Sequence, residues 1–195
     1  MTGDSRAAIE SAFTHFPVLT TDRLRIRQIQ PSDADAFFVI RSDPEVRYPY
    51  GEEPYQSISE AHAMIQRLQT SYAQHDSLFW CITLKREDTA IGSCCFWNFS
   101  SNFECAEIGY ELGRSFWRKG FAREAIRAII THGFTTFGFH RIEANPLAAN
   151  TPSRNLLLKL GFTYEGNLRE RVWFRGRFED QHFFGLLRNE WLESV

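Results

Sequence analysis

No stretch of the chain approaches the apolar length needed to cross a bilayer. Met1 to Phe16 also lacks a basic segment followed by an apolar run, so no secretory signal is expected. Both absences point to a soluble, cytoplasmic protein without a membrane partner. The sequence carries no internal repeat, low-complexity tract or linker, so residues 1–195 are expected to form a single domain, with 1–16 as a leader or short helix. It has no basic field: a net charge of -2 argues against direct nucleic-acid binding. The four cysteines, Cys81, Cys94, Cys95 and Cys105, show no CxxC or ligand-like spacing and read as small strand hydrophobes. Neither an HExxH nor a Cys/His cluster is present, so no metal is expected. A dinucleotide fold is disfavoured too, because no GxGxxG follows the first strand.

Aromatic residues, by contrast, are plentiful. The 18 Phe and 5 Trp must mostly be core, with enough left over to suit an apolar cleft. Arg23 to Arg27 alternates as a half-buried first strand. Pro31-Ser32-Asp33 starts a helix with Ser32 as its cap, and Asp43-Pro44 ends it. The segment Glu45 to Tyr55 holds Tyr48, Tyr50 and Tyr55, and reads either as a wall of a binding site or as a surface connection. Ser57 and Glu60 have capping-box spacing ahead of a long helix to about Gln74. Three strand-like runs follow: Leu78 to Lys85, Ala90 to Phe99 and Glu104 to Leu112. Arg141 to Ala144 makes a short strand, and Thr151 caps a helix with Pro152 at its first position and Gly161 closing it. Phe162 to Phe174 and Phe178 to Leu187 are the last strands.

The stretch around which this order turns is Phe116 to Ala125. A strand delivers the basic, glycine-bearing loop Trp117-Arg118-Lys119-Gly120 to a helix whose apolar face is Ala122, Ala125, Ile126, Ile129, Ile130 and Phe134. The first N–H groups of a helix lack internal partners and sit at the positive end of its dipole, so the loop can hold an anion. Gly120 has no side chain to keep phosphate oxygens from that backbone. The helix between two strands implies that those strands are parallel.

Three motifs in this order resemble the GNAT superfamily of acyl-CoA-dependent N-acetyltransferases, in particular the branch of ribosomal-protein N-terminal acetyltransferases. Trp117-Arg118-Lys119-Gly120-Phe121-Ala122 matches the cofactor motif at Gly120 and Ala122 and departs from it at Trp117. Asn150-x-x-Ser153 precedes Lys159-Leu160-Gly161-Phe162, and Glu165-Gly166, Trp173, Gly176 and Asp180 have the branch's C-terminal spacing. The resemblance covers Leu19 to Trp191 and implies an α+β fold: a mixed, mostly antiparallel sheet of about seven strands with helices on both faces. It implies a splay between Glu107–Leu112 and Arg141–Asn145, with Gly109 suited to a bulge and Pro146 ending the second strand's pairing, although either could be ordinary strand punctuation. Acetyl-CoA is then the co-substrate, and Ile108, Tyr110, Leu112, Trp117, Arg118, Lys119, Gly120, Phe121, Ala122, Arg123, Asn145, Asn150, Ser153 and Lys159 are the expected cofactor-binding residues. Dimerisation is common among relatives, and nothing in the sequence fixes it.

Acetyl transfer to an amine needs a base for the ammonium, a donor for the thioester oxygen and a proton for the departing thiolate. The resemblance places Glu107 as the base; Glu111 shares its strand face and is almost as well placed, and a solvated charge is the plain alternative. The superfamily's usual acid, a Tyr before the second motif's Gly-Phe, is Leu157 here. Ser153 then becomes the residue expected at the thiol, against its reading as a first-turn serine. A carboxylate that some branch members use is replaced by Val172. Tyr48, Tyr50, Glu111 and Asp180 are expected to bind the acceptor, with Asp180 equally suited to a structural role. A covalent route through Cys94 or Cys95 lacks a histidine at motif spacing, so direct attack is expected. The acceptor is expected to be a primary amine, a protein N-terminus by likeness to the ribosomal branch. Small-molecule amines (polyamine, antibiotic or nucleoside) and a non-catalytic acyl-CoA-binding module are the alternatives.

Overall fold

A computed structural model describes the backbone of residues 2–193 and the side chains of residues 6–193. The elements in chain order are α1 (Thr2–Thr14), β1 (Leu19–Thr20), β2 (Leu24–Gln28), α2 (Ala34–Arg41), α3 (Pro44–Arg47), α4 (Ile58–Ala73), β3 (Ser77–Leu84), β4 (Ala90–Trp97) and β5 (Cys105–Leu112). There follow α5 (Phe121–Thr135), β6 (Arg141–Ala144), α6 (Thr151–Lys159), β7 (Thr163–Phe174), β8 (Arg177–Leu187) and α7 (Arg188–Glu193). The strands form one sheet of eight in the order β1-β2-β3-β4-β5-β6-β8-β7. All neighbours are antiparallel except β5 and β6. The two-residue β1 is the strand beyond the expected seven; it is too short to show alternation in the sequence.

Alternation along the strands sorts the core into two layers. On one face Leu24, Ile26, Leu78, Trp80 and Ile82 pack with α1, α5 and α7 through Ile9, Ile126, Ile130, Phe134 and Trp191. On the other, Phe79 and Cys81 meet Phe37 of α2 and Ala61, Met64 and Ile65 of α4. The N-terminal stretch is a helix seated on the core, with Ile9, Ala12 and Phe13 buried. Tyr72 Oη donates to the Ala12 carbonyl at 2.9 Å, and Trp80 Nε1 to that of Pro17 at 2.8 Å.

Two expected caps differ. Ser32 does not cap α2; a 3-10 turn over Pro31–Asp33 precedes the helix, and the Gln30 N–H donates to the Asp33 carboxylate at 2.7 Å. That carboxylate is also claimed by the buried Arg27 guanidinium at 2.8 Å, which makes Asp33 the residue that fixes the turn. Asn150, not Thr151, caps α6, its Oδ1 accepting from the Ser153 N–H at 3.1 Å. The capping box at Ser57 is present, with Glu60 accepting from the Ser57 N–H at 2.9 Å.

The parallel pair is short. Cys105, Ala106 and Glu107 pair with Arg141, Ile142 and Glu143, and there the pairing ends while β5 runs on to Leu112. From Ile108 onward the edge of β5 that faces β6 has no strand partner among the described residues. The β4–β5 register is unbroken from Gly92↔Leu112 to Trp97↔Glu107, so Gly109 carries no bulge. The splay comes instead from the end of β6 at Ala144 and the turn of the chain through Pro146. The shift in this region of the sheet lies between Ile82 and Thr83 of β3.

Candidate active site

The splay opens into a cleft of about 580 Å³ lined by Glu107, Ile108, Tyr110, Asn145, Asn150 and Ser153, among others. The two residues expected to do chemistry, Glu107 and Ser153, therefore face one space, from β5 and from the first turn of α6. Tyr50, Glu52 and Pro49 form the opposite wall, and Asn98, Glu143, Arg171, Val172 and Gln181 complete it. The segment Glu45–Tyr55 is thus a wall of the cleft. The Asn150 amide donates to the Pro49 carbonyl at 3.2 Å, which ties that wall to the α6 cap.

Glu107 and Glu143 are direct neighbours in the parallel register, and both line the cleft. Their surroundings separate them. Glu143 is paired with Arg141 at 2.7 Å, and Arg141 in turn clamps Glu165 with both terminal nitrogens. Glu107 has no cation among the described residues; the Asn98 amide donates to it at 3.5 Å. Burial pushes the Glu107 carboxyl above its usual value, the Asn98 and Asn145 amides oppose the shift, and the Glu143 charge adds to it. A carboxylate of raised proton affinity beside a second carboxylate that is paired with a guanidinium is the pattern of a general base next to a charge partner.

At the other end of the cleft the Tyr110 and Ser153 hydroxyls are 2.8 Å apart. Burial raises the Tyr110 phenol strongly, so it stays protonated and can feed a proton through Ser153. Leu157 is fully buried in the core and points nothing at this space. Tyr110 is the hydroxyl that strand β5 supplies instead. Val172 does line the cleft, so the position noted in the sequence is at the site with an apolar side chain.

The loop before α5 is held from three sides. The Trp117 indole donates to the Leu112 carbonyl at 2.6 Å, closing the loop onto the strand end, which gives the tryptophan at this departing motif position a structural reason. Arg23 donates to the Lys119 carbonyl at 2.9 Å, lies 4.3 Å over the Phe121 ring and pairs with Glu124 at 2.6 Å. Arg118 and Gly120 both have positive φ, 60° and 82°, which turns the backbone back into the helix. Among the described residues the N–H groups of Phe121, Ala122 and Arg123 have no acceptor; the first helical bond of α5 is from Glu124 to Gly120 at 3.1 Å. Arg118, Lys119, Gly120 and Arg123 are exposed, and Phe121 and Ala122 partly so. A row of free donors beside an unpaired strand edge fits a pyrophosphate with an extended amide-bearing arm.

Other expected residues lie elsewhere. Glu111 is buried behind the cleft, where it accepts from Arg41 at 2.8 and 2.6 Å and from Ser93 at 3.0 Å. Asp180 accepts from the Asn167 amide at 2.7 Å and the Glu170 N–H at 2.8 Å, stabilising the irregular middle of β7. Tyr48 lines a second groove of about 610 Å³ with Phe174, Arg175 and Arg177, which shares Pro49 and Leu147 with the cleft. Lys159 is exposed at the end of α6, and Leu112 is buried. Cys94 and Cys95 are not among the cleft residues, and burial pushes the Cys95 thiol up to about 12. Sequence reasoning missed Asn98, Glu143 and Arg23. Glu143 could have been reached once the parallel pair was inferred, had its register been known.

The family model described as "Acetyltransferase (GNAT) domain" matches residues 23–163. The uncharacterized N-acetyltransferase p20 of Bacillus licheniformis is 39% identical over 173 residues, 89% of this chain and 97% of that protein. The [Ribosomal protein uS5]-alanine N-acetyltransferase of Escherichia coli (strain K12) is 28% identical over 178 residues, 89% of this chain and 92% of that protein. Among solved structures, the spermidine N-acetyltransferase of Vibrio cholerae in complex with CoA and spermine superposes with a TM-score of 0.77 at 21% identity, covering 88% of this chain and 99% of that one. At that identity the likeness is one of fold.

Proposed function

The chain belongs to the GNAT acetyltransferase family and is an acetyl-CoA-dependent N-acetyltransferase; on that premise we propose that its acceptor is the N-terminal amine of a protein, attacked directly within the cleft. Acetyl-CoA supplies the acetyl group as a thioester. The free N–H groups of Phe121, Ala122 and Arg123 bind its pyrophosphate, with Arg118, Lys119 and Arg123 adding charge, and the unpaired edge of β5 at Ile108 and Tyr110 holds its arm. Glu107 takes the proton from the ammonium, which frees the nitrogen lone pair. The N–C bond forms as the C–S bond breaks, and the nitrogen releases its second proton to solvent. Ser153 gives the sulfur its proton and recovers one from Tyr110, which is reprotonated from solvent. Much of the acceleration comes from holding the two reactants in line between the cleft walls.

The observation that carries the acceptor is the pair of adjoining spaces. A small amine is accommodated by the cleft alone, whereas the groove beside Tyr48 and Phe174 continues it past Pro49 and Leu147. A chain entering amine first would fill both. The 28% likeness to a ribosomal-protein acetyltransferase supports the same choice. The test is a panel of peptides with free N-termini, polyamines, aminoglycosides and nucleoside amines, each with acetyl-CoA and thiol detection. Peptide turnover with the largest kcat/KM is the expected result; turnover of small amines with none of any peptide overturns the proposal.

A further inference from the structure

Arg141 occupies a place that the sheet clears for it. Glu107, Glu143 and Gly185 form one row across β5, β6 and β8. A Cβ on Gly185 would stand 2.6 Å from Arg141 Cζ, so the guanidinium lies flat where the next side chain of the row would be. From there it reaches Glu143 at 2.7 Å on one side and Glu165 of β7 on the other. The row thus runs carboxylate, carboxylate, guanidinium, carboxylate outward from the cleft. Among the described residues, the innermost carboxylate, Glu107, is the one of the three without a cation.

We infer that Arg141 and Glu143 are a tuning pair for the base, Arg141 limiting how strongly the Glu143 charge acts on Glu107. The inference rests on Glu107 as the base. Two carboxylates on adjacent strands stand about 5 Å apart at the backbone, close enough for one charge to disfavour the other. The titratable and charged groups packed around this row are Cys95 from β4, Cys105 and Tyr110 from β5, Arg141 and Glu143 from β6, Glu165 and Arg171 from β7, and Tyr50 and Glu52 from the wall opposite. Of these, the charge that bears on Glu107 is that of Glu143.

Opposite changes to the pair should then move Glu107 in opposite directions. Glu143→Gln removes the neighbouring charge, and Glu107 should ionise at a pH lower by about half a unit or more. Arg141→Met leaves that charge unneutralised, and Glu107 should ionise at higher pH by a similar amount. Gly185→Ala, which displaces the guanidinium without deleting it, should act in the same direction as Arg141→Met. Two readouts are taken: the acid limb of the pH–rate profile, and the carbon-13 shift of the Glu107 carboxyl, read directly because the acceptor amine also titrates. Shifts of opposite sign in Glu143→Gln and Gly185→Ala support the tuning pair. Unmoved or same-direction shifts overturn it, since a merely structural role has no reason to change sign. Glu107→Gln separates the two levels: if it loses the limb while the other variants do not shift, the base stands and the tuning fails. Full turnover with the limb intact in Glu107→Gln overturns both.

Discussion

Two hydroxyls meet at the α6 end of the cleft, where the proposed reaction releases its thiolate, and they are not equivalent. Ser153 sits in the first turn of α6 with its N–H held by the Asn150 carboxamide, so its position is set by a cap. Tyr110 comes from the unpaired stretch of β5, and burial keeps its phenol protonated far above neutral pH. If Ser153 passes the proton, Ser153→Ala should lower kcat by about a hundredfold, the lower end of what a positioned acid contributes. Tyr110→Phe leaves the serine in place without its hydrogen-bond partner and should cost less, about tenfold, with the KM for acetyl-CoA little changed. Steady-state kinetics with saturating acceptor read both. A larger loss in Tyr110→Phe than in Ser153→Ala would make tyrosine the donor and serine its support. The expected residues that the fold brings to one cleft, Glu107, Ile108, Tyr110 and Ser153 among them, are those on the one strand and the one helix start that the motifs name. Glu111 was indistinguishable from Glu107 by alternation; what separates them is Arg41, which reaches Glu111 from α2, 70 residues away in sequence.

At the scale of elements, local chemistry wrote most boundaries. The α5 face, the box at Ser57 and the stop after Ala144 all follow from residues within one turn or strand of the boundary. Asn150 and Thr151 are adjacent and both good caps, so only the geometry decides between them. The turn of the loop before α5 was legible for the same local reason, but its fastening was not: Arg23 holds the Lys119 carbonyl from 96 residues away. Gly120 is where the loop's conformation and its proposed task coincide. At φ 82° any Cβ is strained by roughly 1–2 kcal/mol, and here it would also sit 3.3 Å from the Arg23 guanidinium. Gly120→Ala should therefore lower stability by about that amount and weaken CoA binding by about tenfold or more, because the N–H row loses its alignment. Thermal melts and calorimetric CoA titration check the two effects. Lost stability with unchanged CoA affinity would place the pyrophosphate elsewhere.

The molecule as a whole holds the Pro49–Glu52 wall of the cleft from behind, through a buried charge cluster. Glu111 on β5 is 5% exposed and takes hydrogen bonds from Ser93 of β4 and Arg41 of α2. Arg47 of α3, 2% exposed, lies 3.6 Å from its second oxygen, and its Nε has no acceptor among the described residues. Three elements thus converge on one carboxylate, and two guanidinium groups, the partly buried Arg41 and the buried Arg47, share it. Burial and the Arg41 charge depress the proton affinity of Arg47, which marks it as the less compensated of the two; an exposed Glu52 covers its outer side. The asymmetry sets unequal costs. Glu111→Ala strands both cations in a dry interior and should destabilise the fold by about 3–5 kcal/mol. Arg47→Met removes the surplus cation while filling the space, and should leave stability within about 1 kcal/mol of the parent. Because Arg47 immediately precedes the Tyr48–Tyr50 turn that lines both spaces, Arg47→Met should instead raise the KM for a peptide acceptor while CoA affinity stays unchanged. Urea unfolding of the two variants, with acceptor kinetics on Arg47→Met, tests the division. Equal destabilisation would mean that both guanidinium groups are fully compensated, and an unchanged acceptor KM would mean that the wall is held by the Asn150–Pro49 bond alone.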